Sequence, residues 1–182
     1  APYEPVRKQA DSYTFAVGKH DIHWKVIQDD ICIEMSLRLP KEDVMELWRV
    51  KVTNLSSRKR KLSIYPYYTV GYMSWMNQSG SYVEDLQGIV CSAVTPYQKY
   101  QDYSKIKNYS DKTYLLADHQ PIAWEVNQES FEGEGGLHNP SALQSETLAG
   151  GDARYETPVA VLQYRVELGA GAEQAYRFIF GP

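Results

Sequence analysis

Residues 29–40 read DDICIEMSLRLP. Ile31, Ile33, Met35, Leu37 and Leu39 recur at every second position, and Cys32, Glu34, Ser36 and Arg38 fill the gaps. A period of two sends these sets to opposite faces of an extended chain, so the stretch is a half-buried strand ended by Pro40. The same alternation recurs along the chain. Trp48, Val50 and Val52 alternate with Arg49 and Lys51, and Leu62 and Ile64 alternate with Lys61, Ser63 and Tyr65. Near the end, Ala160, Leu162, Tyr164, Val166 and Leu168 share a side, as do Tyr176, Phe178 and Phe180. The connectors 40–43, 54–57 and 169–172 carry the Pro, Asn, Ser and Gly of tight turns. About ten short strands without an amphipathic helix imply an all-β fold, an antiparallel β-sandwich. Fifteen tyrosines fit that class, because aromatic side chains favour strands. Residues 76–120 lack a clean period and are expected to form a long ordered loop or an edge hairpin.

The bulk properties narrow the function. A chain of 182 residues makes one domain, and 43% hydrophobic content supplies a core and argues against disorder. The net charge is −4, with 19 basic and 23 acidic residues intermixed. No basic face for nucleic acid is visible. The run Arg58-Lys59-Arg60-Lys61 leads into an alternating stretch and reads as a solvated strand start. Two cysteines without a CxxC do not make a disulfide framework, which points to a reduced, cytoplasmic setting. No run of about 18 apolar residues exists to span a membrane. No signal peptide is expected. The sequence is expected to be a piece of a longer one. Three tripeptides, beginning at Asn54, Asn77 and Asn108, match the N-glycosylation acceptor and are read as chance.

Catalytic signatures are sparse. His20 and His23 would face opposite ways on a strand and could not chelate one ion. His119 and His138 lack companion ligands. There is no GxSxG, and Cys91 in GIVCSAV reads as a small core residue. Carboxylate pairs such as Asp29 with Asp30, or Glu132 with Glu134, read as solvated turn residues. The glycine-rich stretch FEGEGGLHNPSAL, residues 131–143, lacks the Gly-Lys-Ser/Thr end of a phosphate loop, and its two glutamates would repel phosphate. It is expected to be a tight turn with Gly133, Gly135 and Gly136 at positive φ. Phe131 and Leu137 would anchor its two ends, and Asn139-Pro140 would force an extended exit.

That stretch, with its Phe, glycine turn, Pro and small apolar residues, resembles a signature of glycoside hydrolase family 94, formerly glycosyltransferase family 36. Two further blocks carry the resemblance. MELWRVKVTNLSSRKRKLSIYPYY, residues 45–68, is similar to a family block through Trp48, Arg49, Asn54, Arg60 and Leu62. PVAVLQYRVELGAGAEQAYRFIFG, residues 158–181, is similar to the family's terminal β-block, and 13–24 resembles an early hairpin region. The blocks run in family order and cover most of the chain. The family holds cellobiose, chitobiose and cellobionic acid phosphorylases and cyclic β-1,2-glucan synthase.

The resemblance implies a galactose-mutarotase-like β super-sandwich, with residues 1–182 as a single truncated N-terminal domain lacking its first strands. It implies that the catalytic acid and phosphate ligands lie in a following (α/α)6 barrel, so this chain holds no catalytic residue and needs no cofactor or metal. Inorganic phosphate would be co-substrate of a parent transferase that splits a β-glucoside. The parent would be a homodimer, with this domain supporting the barrel and contacting sugar. In GYMSWMNQSG, residues 71–80, Trp75 would stack on a pyranose of the neighbouring subunit while Asn77 and Gln78 bond its hydroxyls. The alternative is that Trp75 and Met76 plug the end of the sandwich. Ser79 after Gln78 departs from the Gln-Arg pattern of cellobiose enzymes and leans toward a cellobionic-acid type. Other readings are a stand-alone carbohydrate-binding module and a domain of a cyclic glucan synthase.

Overall fold

The computed structural model describes residues 9–70, 78–94 and 110–182. The alternating stretch 31–38 is strand β3 (Ile31–Arg38) of a large antiparallel sheet. Beside it lie β2 (Asp21–Gln28) and β1 (Ser12–Val17) on one side and β4 (Glu46–Asn54) on the other. The hairpin between β2 and β3 turns on Asp29 and Asp30, both at positive φ, a two-residue loop whose twist suits paired strands.

β5 (Arg60–Ile64) and β6 (Tyr67–Thr69) leave this sheet for a second one. β7 (Ser79–Val83), β8 (Gly88–Val94) and β9 (Ser110–Ala117) return to the first. After β10 (Ala123–Asn127) come a short helix α1 (Gln128–Glu132), β11 (Ala153–Arg154), β12 (Pro158–Leu168) and β13 (Glu173–Gly181). Among the described residues the large sheet has nine strands, in the order β1-β2-β3-β4-β13-β9-β8-β7-β11. The smaller sheet runs β10-β12-β5, with β6 also on β12. β5 and β6 follow one another along β12, interrupted at Tyr65-Pro66. Pro66 has no N–H for the ladder, yet its carbonyl accepts from Leu162 N at 3.2 Å.

The main core fills the space between the sheets. Ile89, Cys91, Leu115, Leu162, Tyr164, Tyr176 and Phe178 meet there. A second cluster lies on the other side of β12, where Val159 and Val161 pack with Ala123, Phe131 and Leu148. The first half of β12 is therefore buried on both faces, which the one-sided sequence reading missed. The chain between β10 and β11 supplies the extra cover. Asn127 caps α1 by accepting from Ser130 N at 2.9 Å, and 3-10 turns follow at Gly133–His138 and Ser141–Gln144.

Several expectations are corrected. The glycine-rich stretch is not a single tight turn but a helix running into two 3-10 turns, held down by buried Phe131. Gly133 and Gly136 do take positive φ, whereas Gly135 does not. Gly133 is required, since a Cβ there would sit 2.2 Å from Ser141 Oγ. Leu137 is exposed and anchors nothing, and Leu39 lies beyond the end of β3 in solvent. The described parts of 76–120 include β7, β8 and β9, and β9 joins β13 in the interior of the large sheet rather than forming an edge hairpin.

Two sequence readings find direct physical support. Lys59 and Lys61 both pair with Glu167 at the solvated start of β5. Asn54 is fully buried, and its Nδ2 donates to the carbonyls of Arg58, Leu168 and Gly169 at 2.7, 3.0 and 2.9 Å. An amide locked this way is inaccessible to glycosylation in the folded chain. Asn77 and Asn108 lie outside the described residues.

Candidate functional site

The strands that send Trp48, Val50, Tyr176 and Phe178 to the core send their intervening residues to the outer face of the large sheet. Strand register arranges these outward residues in rows. One row runs Asp21, Arg38, Leu47, Ile179 and Leu116 across β2, β3, β4, β13 and β9. The next runs His23, Ser36, Arg49 and Arg177 across β2, β3, β4 and β13. Asp118, just past the end of β9, closes it: its N–H donates to the Arg177 carbonyl and its carboxylate accepts from the Arg177 N–H. These two rows line a groove of about 550 Å³.

Charge is distributed unevenly over this face. The neighbouring row is compensated: Lys51 pairs with Glu34 at 2.7 Å and Glu173 at 3.4 Å, and Lys25 reaches Glu34 at 3.8 Å. The hydrogen bond from Lys51 holds the Glu34 carboxyl below its usual range and raises the Lys51 ammonium in turn. Inside the groove the two carboxylates have other partners. Asp21 faces His23 at 3.2 Å and Arg38 at 3.9 Å. Asp118 Oδ1 accepts from the Arg177 backbone N–H at 2.9 Å and meets His119 Nδ1 at 2.6 Å. Burial raises Asp118, but these bonds outweigh it and leave the carboxyl below its ordinary value. Among the described residues, the guanidinium groups of Arg49 and Arg177 enter no ion pair or hydrogen bond. They are direct cross-strand neighbours.

Residues singled out from sequence fall elsewhere. Trp75 and Asn77 lie outside the described residues. Gln78 is buried just before β7, and its carbonyl accepts from Tyr155 N at 2.7 Å. Cys91 is buried on β8 and its thiol is pushed up to about 12 by desolvation, so it is no nucleophile. Glu132 accepts from Tyr67 Oη at 2.5 Å and Gln128 Nε2 at 2.9 Å, which ties α1 to β6 rather than poising an acid. Among the described residues no three His, Cys, Asp or Glu side chains converge to hold a metal ion. Nor is any helix there long and apolar enough to cross a membrane. The groove went unread in the sequence because its members are scattered. Their only local signal is the polar phase of each alternation.

Comparison with known proteins places this geometry. Residues 1–182 match the family model described as "Glycosyl hydrolase 94, supersandwich domain". The chain is 58% identical over 182 residues to a cellobionic acid phosphorylase of Neurospora crassa, covering 100% of this chain and 23% of that protein. It is 22% identical over 181 residues to a 3-O-β-D-glucopyranosyl-β-D-glucuronide phosphorylase of Paenibacillus borealis, covering 98% and 23%. A solabiose phosphorylase of the same organism is 22% identical over 185 residues, covering 97% and 23%. The chain thus spans 23% of the length of the curated relatives it matches.

Proposed function

The chain belongs to the glycosyl hydrolase 94 supersandwich family, and from that premise we propose that it is the accessory domain of an inverting β-glucoside phosphorylase. The observation that carries this reading is the 58% identity, along the entire chain, to a protein named for the phosphorolysis of cellobionic acid. It is supported by what the described residues hold: two packed sheets, buried thiols and carboxylates engaged in structure.

In the parent, phosphate attacks the anomeric carbon while an acid protonates the departing oxygen, and the glycosidic bond breaks to give a sugar 1-phosphate. Those reacting groups reside in a helical barrel of the same polypeptide. This domain braces that barrel and helps to pair two subunits in a cytoplasmic homodimer. Trp75 and Asn77 reach a sugar in the neighbouring subunit, and Gln78, buried just before β7, would have to turn outward to join them. Asn/Gln side chains and an indole face suit hydroxyls and a pyranose ring respectively.

The test uses the full-length parent with α-glucose 1-phosphate and a panel of acceptors, following phosphate release. Release with gluconate and not with glucose is expected. Release with glucose alone would replace the cellobionic-acid assignment with a cellobiose one. No release with any acceptor would overturn the phosphorylase reading. In an active parent, Trp75→Ala should raise the acceptor KM at least tenfold; an unchanged KM would remove Trp75 from the sugar site.

A further inference from the structure

We propose that the outer groove of the nine-stranded sheet binds a sugar acid, a hydroxylated ring or chain bearing a carboxylate, with Arg49 and Arg177 as the groups that read the charge. Like charges directly opposite each other across a strand pair, with Cβ atoms about 4.5–5.5 Å apart, repel. Here Glu34 feels the charge of Arg49 and Asp118 that of Arg177, but neither carboxylate closes to an ion pair with them, and each has a nearer partner. Glu34 is held by Lys51 and Lys25, Asp21 by His23 and Arg38, and Asp118 by His119 and the Arg177 backbone. Both arginines line the groove as cross-strand neighbours, and a guanidinium offers the paired N–H donors that receive a carboxylate in bidentate fashion.

The rest of the groove selects what carries that carboxylate. Leu47, Ile179 and Leu116 stand in register on three adjacent strands and form an aliphatic strip along the arginine row. A sugar has such an apolar C–H face. Ser36, His23 and the carboxylates of Asp21 and Asp118 lie around it and supply both donors and acceptors for hydroxyls. The groove volume of about 550 Å³ lies within the roughly 300–1,000 Å³ of small-molecule sites and far exceeds the needs of a bare oxyanion. Bare phosphate would leave the aliphatic strip and Ser36 idle. The inference goes beyond the proposed function: it concerns binding by residues of this domain and holds whatever reaction the parent performs.

The experiment is calorimetric titration of the 182-residue chain with glucuronate, gluconate, glucose and inorganic phosphate in turn. Saturable binding of at least one of the two acids is expected, with no detectable binding of glucose. Arg49→Gln and Arg177→Gln should each weaken it at least tenfold. Ile179→Ala should weaken it severalfold, and Lys59→Gln, at the solvated start of β5, should leave it unchanged. Equal unfolding temperatures for the arginine variants and the parent chain would exclude misfolding as the cause. Absence of saturable binding by either acid, equal affinity for glucose, equal or tighter binding of phosphate, or insensitivity to both arginine substitutions would each overturn the proposal.

Discussion

Arg177 and Phe178 are consecutive residues of β13, yet they belong to different worlds. Phe178 is 2% exposed and packs among Tyr164 and Tyr176 between the sheets. Arg177 projects into solvent beside Arg49. The contrast holds across the large sheet. Against the inner face, Tyr68 of the smaller sheet meets Trp48 edge-on and stacks on Phe180, with ring centroids 5.9 and 4.5 Å apart. On the outer face ion pairs, and two neighbouring guanidinium groups outside any ion pair, take their place. The inner face is constrained by packing and reports on the fold. The outer face is free of that constraint, so like charges set side by side there fit a ligand better than they fit packing.

The inner face should break hardest. Phe178→Ala removes a fully buried ring and should cost about 3–5 kcal/mol, read as a large fall in the urea midpoint. A loss below about 1 kcal/mol, the size of a surface change, would mean that the sheets are not packed as described. Next in size comes the buried polar hinge between the β4–β5 loop and the β12–β13 turn. Asn54→Ala removes the buried donor that ties together the carbonyls of Arg58, Leu168 and Gly169 and should cost about 2–3 kcal/mol. Wild-type stability in that variant would refute the role given to Asn54.

The smallest effect belongs to the outer face and depends on pH. Asp118 has its carboxyl held below the ordinary value, so it contributes stability above its unfolded pKa of about 4 and loses that contribution as pH falls. Partial exposure keeps the effect under about 1 kcal/mol. Asp118→Asn should therefore be slightly less stable at pH 7, with the gap closing toward pH 3. A gap that widens on acidification would reverse the sign assigned to this group.

How much of this was legible in the sequence depends on which face a residue serves. The alternation at Tyr176–Phe180 named both the strand and its buried side, because one-sided burial leaves a period of two; at Ile31–Leu37 it named the strand, but Cys32, on the polar phase, is buried as well. It failed at β12. There the second face is also covered, and Gln163, polar in the sequence, is fully buried. Its amide is satisfied by Tyr65 Oη at 3.1 Å, Glu146 O at 2.8 Å and Leu148 N at 3.0 Å, partners that only the folded chain brings together. The glycine-rich stretch showed two positive-φ positions, Gly133 and Gly136, but not the α1 layer that Phe131 pins to β12. The groove was the least legible part. Arg49 and Arg177 sit in separate sequence blocks, and only the β4–β13 register makes them neighbours.

The most direct test sets the two neighbours on β13 against each other. Phe178→Ala and Arg177→Gln would be compared for urea midpoint and for affinity toward the sugar acids. Arg177→Gln should keep the parent midpoint and lose at least tenfold in affinity, while Phe178→Ala should lose about 3–5 kcal/mol of stability. If Arg177→Gln instead destabilises the chain or leaves sugar-acid affinity intact, the division of the sheet into a structural and a binding face is contradicted.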